Sequence, residues 1–338
     1  MKLSKNYSLK TLNSFGVDIK AKIYADVFSV DELKEVMLAN ELSNLKKLIL
    51  GGGSNILFVK NFDGIVIKNS IPGIKIISED DKNMIVESGA GVVWDELVQY
   101  CVDRNYGGIE NLSLIPGSVG AAPIQNIGAY GQELTNTLFE LNGIFIDTGE
   151  EKIFNNSECK FSYRSSIFKN EFKNKFIITS VKLKLDKNSQ VNLTYDPVKE
   201  GVEKRHIKNP TIKDIREIVI DIRKNKLPDP NEIGNAGSFF KNPVITKKKY
   251  KVLKKVYSDL NYFPVDRNNV KVSAARLIEI CEWKGKRIGN VGTYNKQPLV
   301  IVNYGDATGE EIYAMAMKIK DEIKKRFDIT LENEVNVL

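Results

Sequence analysis

Helical and strand spacings of apolar residues alternate along the chain. Ser29 and Glu32 fit a capping box that opens a helix running through about Leu42. "KKLIL" then reads as a buried strand, leads straight into "GGGSNILF", and is followed by the strand "GIVIKN". This is the pattern of a small α+β unit ending near residue 70. From there to about Leu185 the pattern is mostly strand, in "PGIKIIS", "NMIVESGA", "FELNGIFID" and "FIITSVKLKL". One helix interrupts it, with Trp94, Leu97, Val98, Cys101 and Val102 on one face. "VNLTYDP" reads as a strand or a loop. Ile212, Ile215, Ile218, Val219 and Ile222 make the next helix, which "KLPDP" stops. Further helices are expected near 246–257, 273–283 and 308–327, with Thr308 and Glu311 forming a second capping box. The strands "RIGNVGTY" and "PLVIVNY" lie between them, and a last strand in "ITLENEVNVL" returns to an earlier part of the structure.

Two glycine-rich segments interrupt this order. "GGGSN" at Gly51 to Asn55 lets backbone amides approach an anion closely, and equally suits a tight turn between two strands. It is not a G-x-G-x-x-G fingerprint, because Ile56 stands where the last glycine belongs, and no G-x-x-x-x-G-K-[ST] occurs. That argues against a Rossmann domain without excluding a nucleotide. The segment from Glu110 to Leu134, containing "IPGSVGAAPIQNIGAYG", shows little periodicity. A stretch of that length without structure is usually functional. Its backbone suits wrapping a flat polar ligand, or packing on itself as an Ω-type loop. Both segments follow strands in one half of the chain, which favours a single dinucleotide bed.

Composition narrows the function classes. Of 338 residues, 42% are hydrophobic and 28% charged, which is ordinary for a globular chain of two or three domains. The formal charge of +7 is spread along the chain, so it implies a general pull on anionic ligands rather than a nucleic-acid surface. Cys101, Cys159 and Cys281 form no CxxC pair, and their odd number argues against a disulfide framework. No metal site is expected. The only histidine, His206, sits in the polar run "EKRHIKNP" and reads as an exposed loop residue. The first residues lack a secretory apolar core, and no apolar run reaches the roughly 20 residues of a membrane span, so a cytoplasmic location is expected.

"GGGSNILF", "IPGSVGAAPIQNIGAYGQEL", "FSYRSSIF", "KLPDP", "GNAGSFFKNP" and "LENEV", in this order, resemble the UDP-N-acetylenolpyruvoylglucosamine reductase family over nearly the whole chain. "LTYDP" resembles the longer form, in which an extra loop carries a tyrosine over the substrate. The resemblance implies an α+β FAD-binding fold of the vanillyl-alcohol-oxidase type with a C-terminal α+β substrate domain. The expected parts are 1–70 with 329–338, 71–227, and the substrate domain at 228–328. FAD is expected to be non-covalent, and NADPH the co-substrate. The implied activity is reduction of UDP-N-acetylglucosamine enolpyruvate to UDP-N-acetylmuramate. The chain is expected to act as a monomer without nucleic-acid or membrane partners. Two readings compete: another FAD-dependent sugar or lactone oxidoreductase of the same fold, and a basic nucleotide- or RNA-binding protein.

The resemblance also implies roles for individual residues. Arg164 would hold the substrate carboxylate through its planar fork of donors. Ser238 would be the proton donor. Glu334 would complete the trio, and a carboxylate beside an anionic intermediate must be neutralised or paired with Arg164. The cofactor bed would be Gly51, Gly52, Gly53, Ser54, Asn55 and Ile56, then Pro116, Gly117, Ser118, Gly120, Ala121, Ala122, Asn126, Ile127 and Gly128. The uridine diphosphate would be held by Tyr195, Arg223, Lys226, Asn242 and Gln297. In "GNAGSFFKNP" the glycines are expected to loosen the backbone around Ser238.

Overall fold

In the computed structural model, which describes residues 2–338, backbone contacts divide the chain into two units. The first comprises residues 2–7, 20–53 and 62–225, and the second comprises residues 8–19, 54–61 and 226–338. The expected substrate domain, 228–328, lies within the second unit. Residues 54–61 and 329–338 also belong there, because strand Asn336–Val337 pairs in parallel with Ile56–Leu57.

The first unit begins with a four-stranded sheet in the order Leu3–Ser8, Lys20–Val27, Phe62–Asn69, Lys46–Leu50. The last three strands run parallel, so a crossover must join Lys20–Val27 to Lys46–Leu50, and helix Val30–Leu38 supplies it. Leu33, Val36 and Met37 of that helix share a core with Ala25, Val27, Ile65 and Ile67. Ser29 Oγ accepts from the Glu32 amide at 3.1 Å, but the Glu32 carboxylate accepts from Phe28 rather than from Ser29, at 2.7 Å. The helix stops at Leu38 and not at Leu42: Ala39 turns extended, and Asn40–Leu42 forms a separate 3-10 turn that carries Leu42 into the core.

A five-stranded antiparallel sheet follows, in the order Glu151–Asn155, Leu138–Phe145, Phe176–Asp186, Asn83–Gly89, Ile74–Glu79. Its Ile144 and Ile177 enter the core of the first sheet, whereas Met84, Val86 and Val181 pack with helix Trp94–Asp103. The indole of Trp94 donates to the Leu112 carbonyl at 2.9 Å, tying this helix to the glycine-rich segment. Strand Glu151–Asn155 escapes pattern reading because only Phe154 is buried in it. Segment 110–134 is not structureless. It contains 3-10 turns Glu110–Leu112 and Val119–Gln125 and a small hairpin of Gly128–Ala129 with Gln132–Glu133. Small residues in a three-residue period leave no amphipathic signature. "VNLTYDP" holds no strand but leads into helix Asp196–Lys204, whose Val198 and Val202 pack on Ile215, Ile218 and Val219 of helix Ile212–Lys226.

The second unit has an antiparallel sheet in the order Gly234–Ser238, Val300–Asn303, Val291–Thr293, Arg287–Ile288. Helix Gly309–Phe327 buries Ile312, Met315, Ala316, Ile319 and Ile323, and its N-terminus carries the expected capping box of Thr308 and Glu311. A smaller sheet, Val244–Thr246, Asn269–Val272 and Tyr262–Pro264, is accompanied by helices Lys247–Val256 and Ala274–Ile280. No helix among the described residues is long and apolar enough to cross a membrane. His206 is exposed, and the three cysteines are buried and unbonded.

Candidate functional site

Gly51 and Gly52 of the first glycine-rich segment meet the second segment in the first unit. A Cβ on Gly51 would lie 2.3 Å from Ser118 Oγ, and one on Gly52 would lie 2.8 Å from Gly117 Cα. Backbone therefore faces backbone across a gap that admits no side chain. Beside it lies a cavity of about 110 Å³ lined by Gly51, Ser118, Gly120 and Ala121 together with Asn69 and Ile178. The glycine backbone on one side suits close approach of a phosphate group such as FAD carries, while Ile49, Ile124, Phe176 and Ile177 make the rest of the wall apolar. Gly120 serves packing: its amide donates to the Ala90 carbonyl at 2.9 Å, and a Cβ there would sit 2.5 Å from Ala90 Cβ. Ala122, Asn126 and Ile127 are buried, whereas Pro116 and Ala121 are exposed. Gly52→Ala is expected to weaken FAD retention about tenfold by wedging the loops apart. Its thermal midpoint should fall as well, because the atoms in the way are backbone and the loops must shift to make room. Equilibrium dialysis of FAD checks this, and unchanged affinity would remove the bed from this place.

Arg164 occupies a tight turn closed by reciprocal backbone bonds between Ser162 and Ser165 at 3.1 and 3.0 Å. Its φ of 53° is left-handed, an uncommon state for a non-glycine residue and one that concentrates at functional sites. The turn throws the guanidinium onto the glycine segment, where Nη2 donates to the Gly128 carbonyl at 2.8 Å. Asn126 ties the same parts together, donating to Glu133 at 2.7 Å and to the Ser162 carbonyl at 3.4 Å. Arg164 and the end of the expected cofactor bed are thus one assembly.

Tyr195 and Arg223 converge on Tyr130, which pattern reading passed over. The Tyr130 and Tyr195 rings meet edge to face at 5.4 Å, and the Arg223 guanidinium is near enough to Tyr130 for each to favour the other's charged form. Burial pushes both phenols above their ordinary range. Burial also lowers the Arg223 guanidinium, while Tyr130 and Asp95 favour its charged form. Arg223 Nε donates to the Leu114 carbonyl at 3.1 Å. Lys226, the last residue of the same helix, is exposed three positions on. The sequence signal for Tyr130 was its place before Gly131, at the tip of the small hairpin.

In the second unit the segments that carry Ser238 and Glu334 pair through their neighbours. The Glu334 amide donates to the Phe239 carbonyl at 2.8 Å, and Phe240 bridges Asn333 in antiparallel pairing. Asn55 of "GGGSN" donates from its side chain to the Glu334 carbonyl at 3.3 Å, and Asn336 returns a bond to the Asn55 carbonyl at 3.0 Å. Ser54, Asn55 and buried Ile56 therefore accompany the terminal segment. The segment before Ser238 is not loose. Gly234–Ser238 is a strand, and a Cβ on Gly234 would lie 2.3 Å from the Phe15 carbonyl oxygen, so that glycine serves close packing. Asn235, 5% exposed, accepts from the Gly237 amide at 3.0 Å and stabilises the bulge at Gly237, where φ is 67°. Beyond Ser238, Phe239 and Phe240 are buried with their rings 5.2 Å apart. The serine is held between fixed neighbours.

Asn242 Oδ1 accepts from the Ala274 amide at 3.0 Å, orienting its side chain at the start of helix Ala274–Ile280. Gln297 Oε1 is buried without a hydrogen-bond partner, a state that costs free energy until a donor arrives. A ligand group is one such donor. Arg164, Tyr195 and Arg223 belong to the first unit, and Ser238, Asn242, Gln297 and Glu334 to the second.

Comparison with known proteins adds independent findings. The family model described as UDP-N-acetylenolpyruvoylglucosamine reductase, C-terminal domain, matches residues 229–338. The model described as FAD binding domain matches residues 21–151. A UDP-N-acetylenolpyruvoylglucosamine reductase of Flavobacterium johnsoniae is 48% identical over 339 residues, covering all of both chains. One of Amoebophilus asiaticus is 46% identical over 338 residues, again covering all of both. Among solved structures, the corresponding reductase of Thermus caldophilus aligns with a TM-score of 0.65 at 23% identity, over 99% of this chain and 98% of the other, and shares its fold.

Proposed function

Because the chain belongs to the UDP-N-acetylenolpyruvoylglucosamine reductase family and is an FAD-dependent reductase of peptidoglycan synthesis, we propose that Arg164, Ser238 and Glu334 carry its substrate reduction, with NADPH as electron source. The substrate is UDP-N-acetylglucosamine enolpyruvate and the product UDP-N-acetylmuramate. The observation that most supports this assignment is the antiparallel seating of the Glu334 segment on Phe239 and Phe240, next in sequence to Ser238, where the Glu334 amide donates a hydrogen bond of 2.8 Å to the Phe239 carbonyl.

FAD, when bound, supplies the hydride that adds to the terminal vinyl carbon. Negative charge then develops on the neighbouring carbon and spreads into the substrate carboxylate. Arg164 faces that carboxylate and stabilises the growing charge. Ser238 Oγ delivers its proton to the neighbouring carbon and recovers one from solvent. A hydroxyl is a feeble acid, but the carbanion is a strong base and a fixed donor gains most from position. Glu334 completes the trio, neutralised in the complex by a proton or by Arg164. Tyr195, Arg223, Lys226, Asn242 and Gln297 take the uridine diphosphate. NADPH and the sugar nucleotide occupy the same pocket in turn. The FAD is non-covalent, consistent with a sole histidine, His206, outside both glycine-rich segments. The protein works as a cytoplasmic monomer without nucleic-acid or membrane partners.

The test is NADPH oxidation by the FAD-loaded protein with and without the enolpyruvyl sugar nucleotide. The expected result is substrate-dependent turnover with a lactyl ether product. Turnover indifferent to substrate would overturn the reading.

A further inference from the structure

The pair Asp95 and Arg216 has no part in the roles assigned above, yet it is built with unusual care. Arg216 is 6% exposed, and its Nη1 and Nη2 donate to the two oxygens of Asp95 at 2.7 and 2.9 Å. Its Nε donates to Gln99 Oε1 at 2.9 Å. Buried ion pairs are weak devices for stability, since desolvation offsets much of their attraction, so a role in register is the better physical reading. The Asp95 carboxylate holds one further partner, the amide of Leu114, at 2.5 Å.

Leu114 is where the geometry matters. Its φ is 57°, a left-handed conformation that a side chain with a Cβ adopts only when its surroundings impose it. Asp95 takes its amide and Arg223 Nε donates to its carbonyl at 3.1 Å. Three residues on, the Gly117 carbonyl accepts from the Trp94 amide at 2.9 Å, and Gly117 is the residue that a Cβ on Gly52 would strike. The first turn of helix Trp94–Asp103 thus holds the chain at both Leu114 and Gly117.

We propose that Asp95 and Arg216 are positioning residues, which keep Leu114 left-handed and thereby present Arg223 to the substrate diphosphate. This rests on the assignment of Arg223 to the diphosphate made above. The pair touches no reacting atom. It sets the carbonyl on which Arg223 leans, so that the guanidinium stands ready before the anion arrives and little ordering remains to be done on binding.

The experiment uses the full-length FAD-loaded chain with uridine diphosphate as probe, measured by calorimetry, and hydrogen exchange at the Leu114 amide. Asp95→Asn keeps the shape but weakens the charge-assisted bonds, and is expected to raise the Kd for uridine diphosphate about tenfold and to speed exchange at Leu114. Leu114→Gly is expected to recover most of that loss in the Asp95→Asn background, because glycine reaches positive φ unaided. A merely structural pair would give no such rescue. Asp95→Asn binding uridine diphosphate as the parent does, or a loss that Leu114→Gly leaves unrepaired, would overturn the inference. Arg223→Ala is the control. If it leaves binding intact, the diphosphate assignment fails and takes the inference with it. If it weakens binding while Asp95→Asn does not, the inference alone fails.

Discussion

Ser238→Ala is expected to slow flavin reoxidation by the enolpyruvyl sugar nucleotide by about 10²- to 10⁴-fold, the usual worth of a positioned general acid. Flavin reduction by NADPH should stay within a few-fold of the parent. The contrast follows from where the hydroxyl sits. Buried Asn235 shapes the bulge before it, and Phe239, 0% exposed, fixes the chain after it by donating its amide hydrogen bond to the Leu299 carbonyl at 2.8 Å. Removing one oxygen from so constrained a place deletes the donor without moving the backbone. Stopped-flow absorbance separates the half-reactions. Equal slowing of both would mean a distorted site, and undiminished reoxidation would exclude Ser238 as the donor.

Arg164→Lys is the second large effect, expected to cost about 10²- to 10³-fold in reoxidation by substrate, comparable with the loss of one oxyanion donor. Charge and reach are nearly kept. What disappears is the fork: Nη2 of Arg164 is engaged by the Gly128 carbonyl at 2.8 Å, and a planar guanidinium can make that bond while offering further donors to a carboxylate. A lysine ammonium has no such fixed plane. Retention of bound FAD, read from the visible spectrum, should fall no more than a few-fold, because Asn126 still ties this turn to the glycine segment. A variant with parent-like reoxidation would remove Arg164 from the trio.

Much of the architecture was readable because its elements follow local rules. The capping box of Thr308 and Glu311 and the stripe of Trp94, Leu97, Val98, Cys101 and Val102 both appear where spacing predicts them. The misses share a cause as well. Strand Glu151–Asn155 and helix Asp196–Lys204 bury one and two residues respectively, too few to leave a period. The 3-10 turn Val119–Gln125 is made of small residues around Pro123, and its shape comes from contacts with neighbouring strands. Gly234 illustrates a subtler error. It was expected to loosen the backbone around Ser238, whereas its missing side chain makes room for the Phe15 carbonyl.

The resemblance of six ordered motifs to a known family carried the cofactor class and the candidacy of Arg164, Ser238 and Glu334. Those rest on side-chain types and on glycines at set intervals, which are local properties. The company those residues keep is not local. Asn55 reaches Glu334 across 279 positions, Arg216 reaches Asp95 across 121, and Arg223 reaches the left-handed Leu114 across 109. Each is a hydrogen bond to a carbonyl or carboxylate whose position depends on how whole sheets and helices pack. No spacing rule encodes such partners, and only the folded chain decides them.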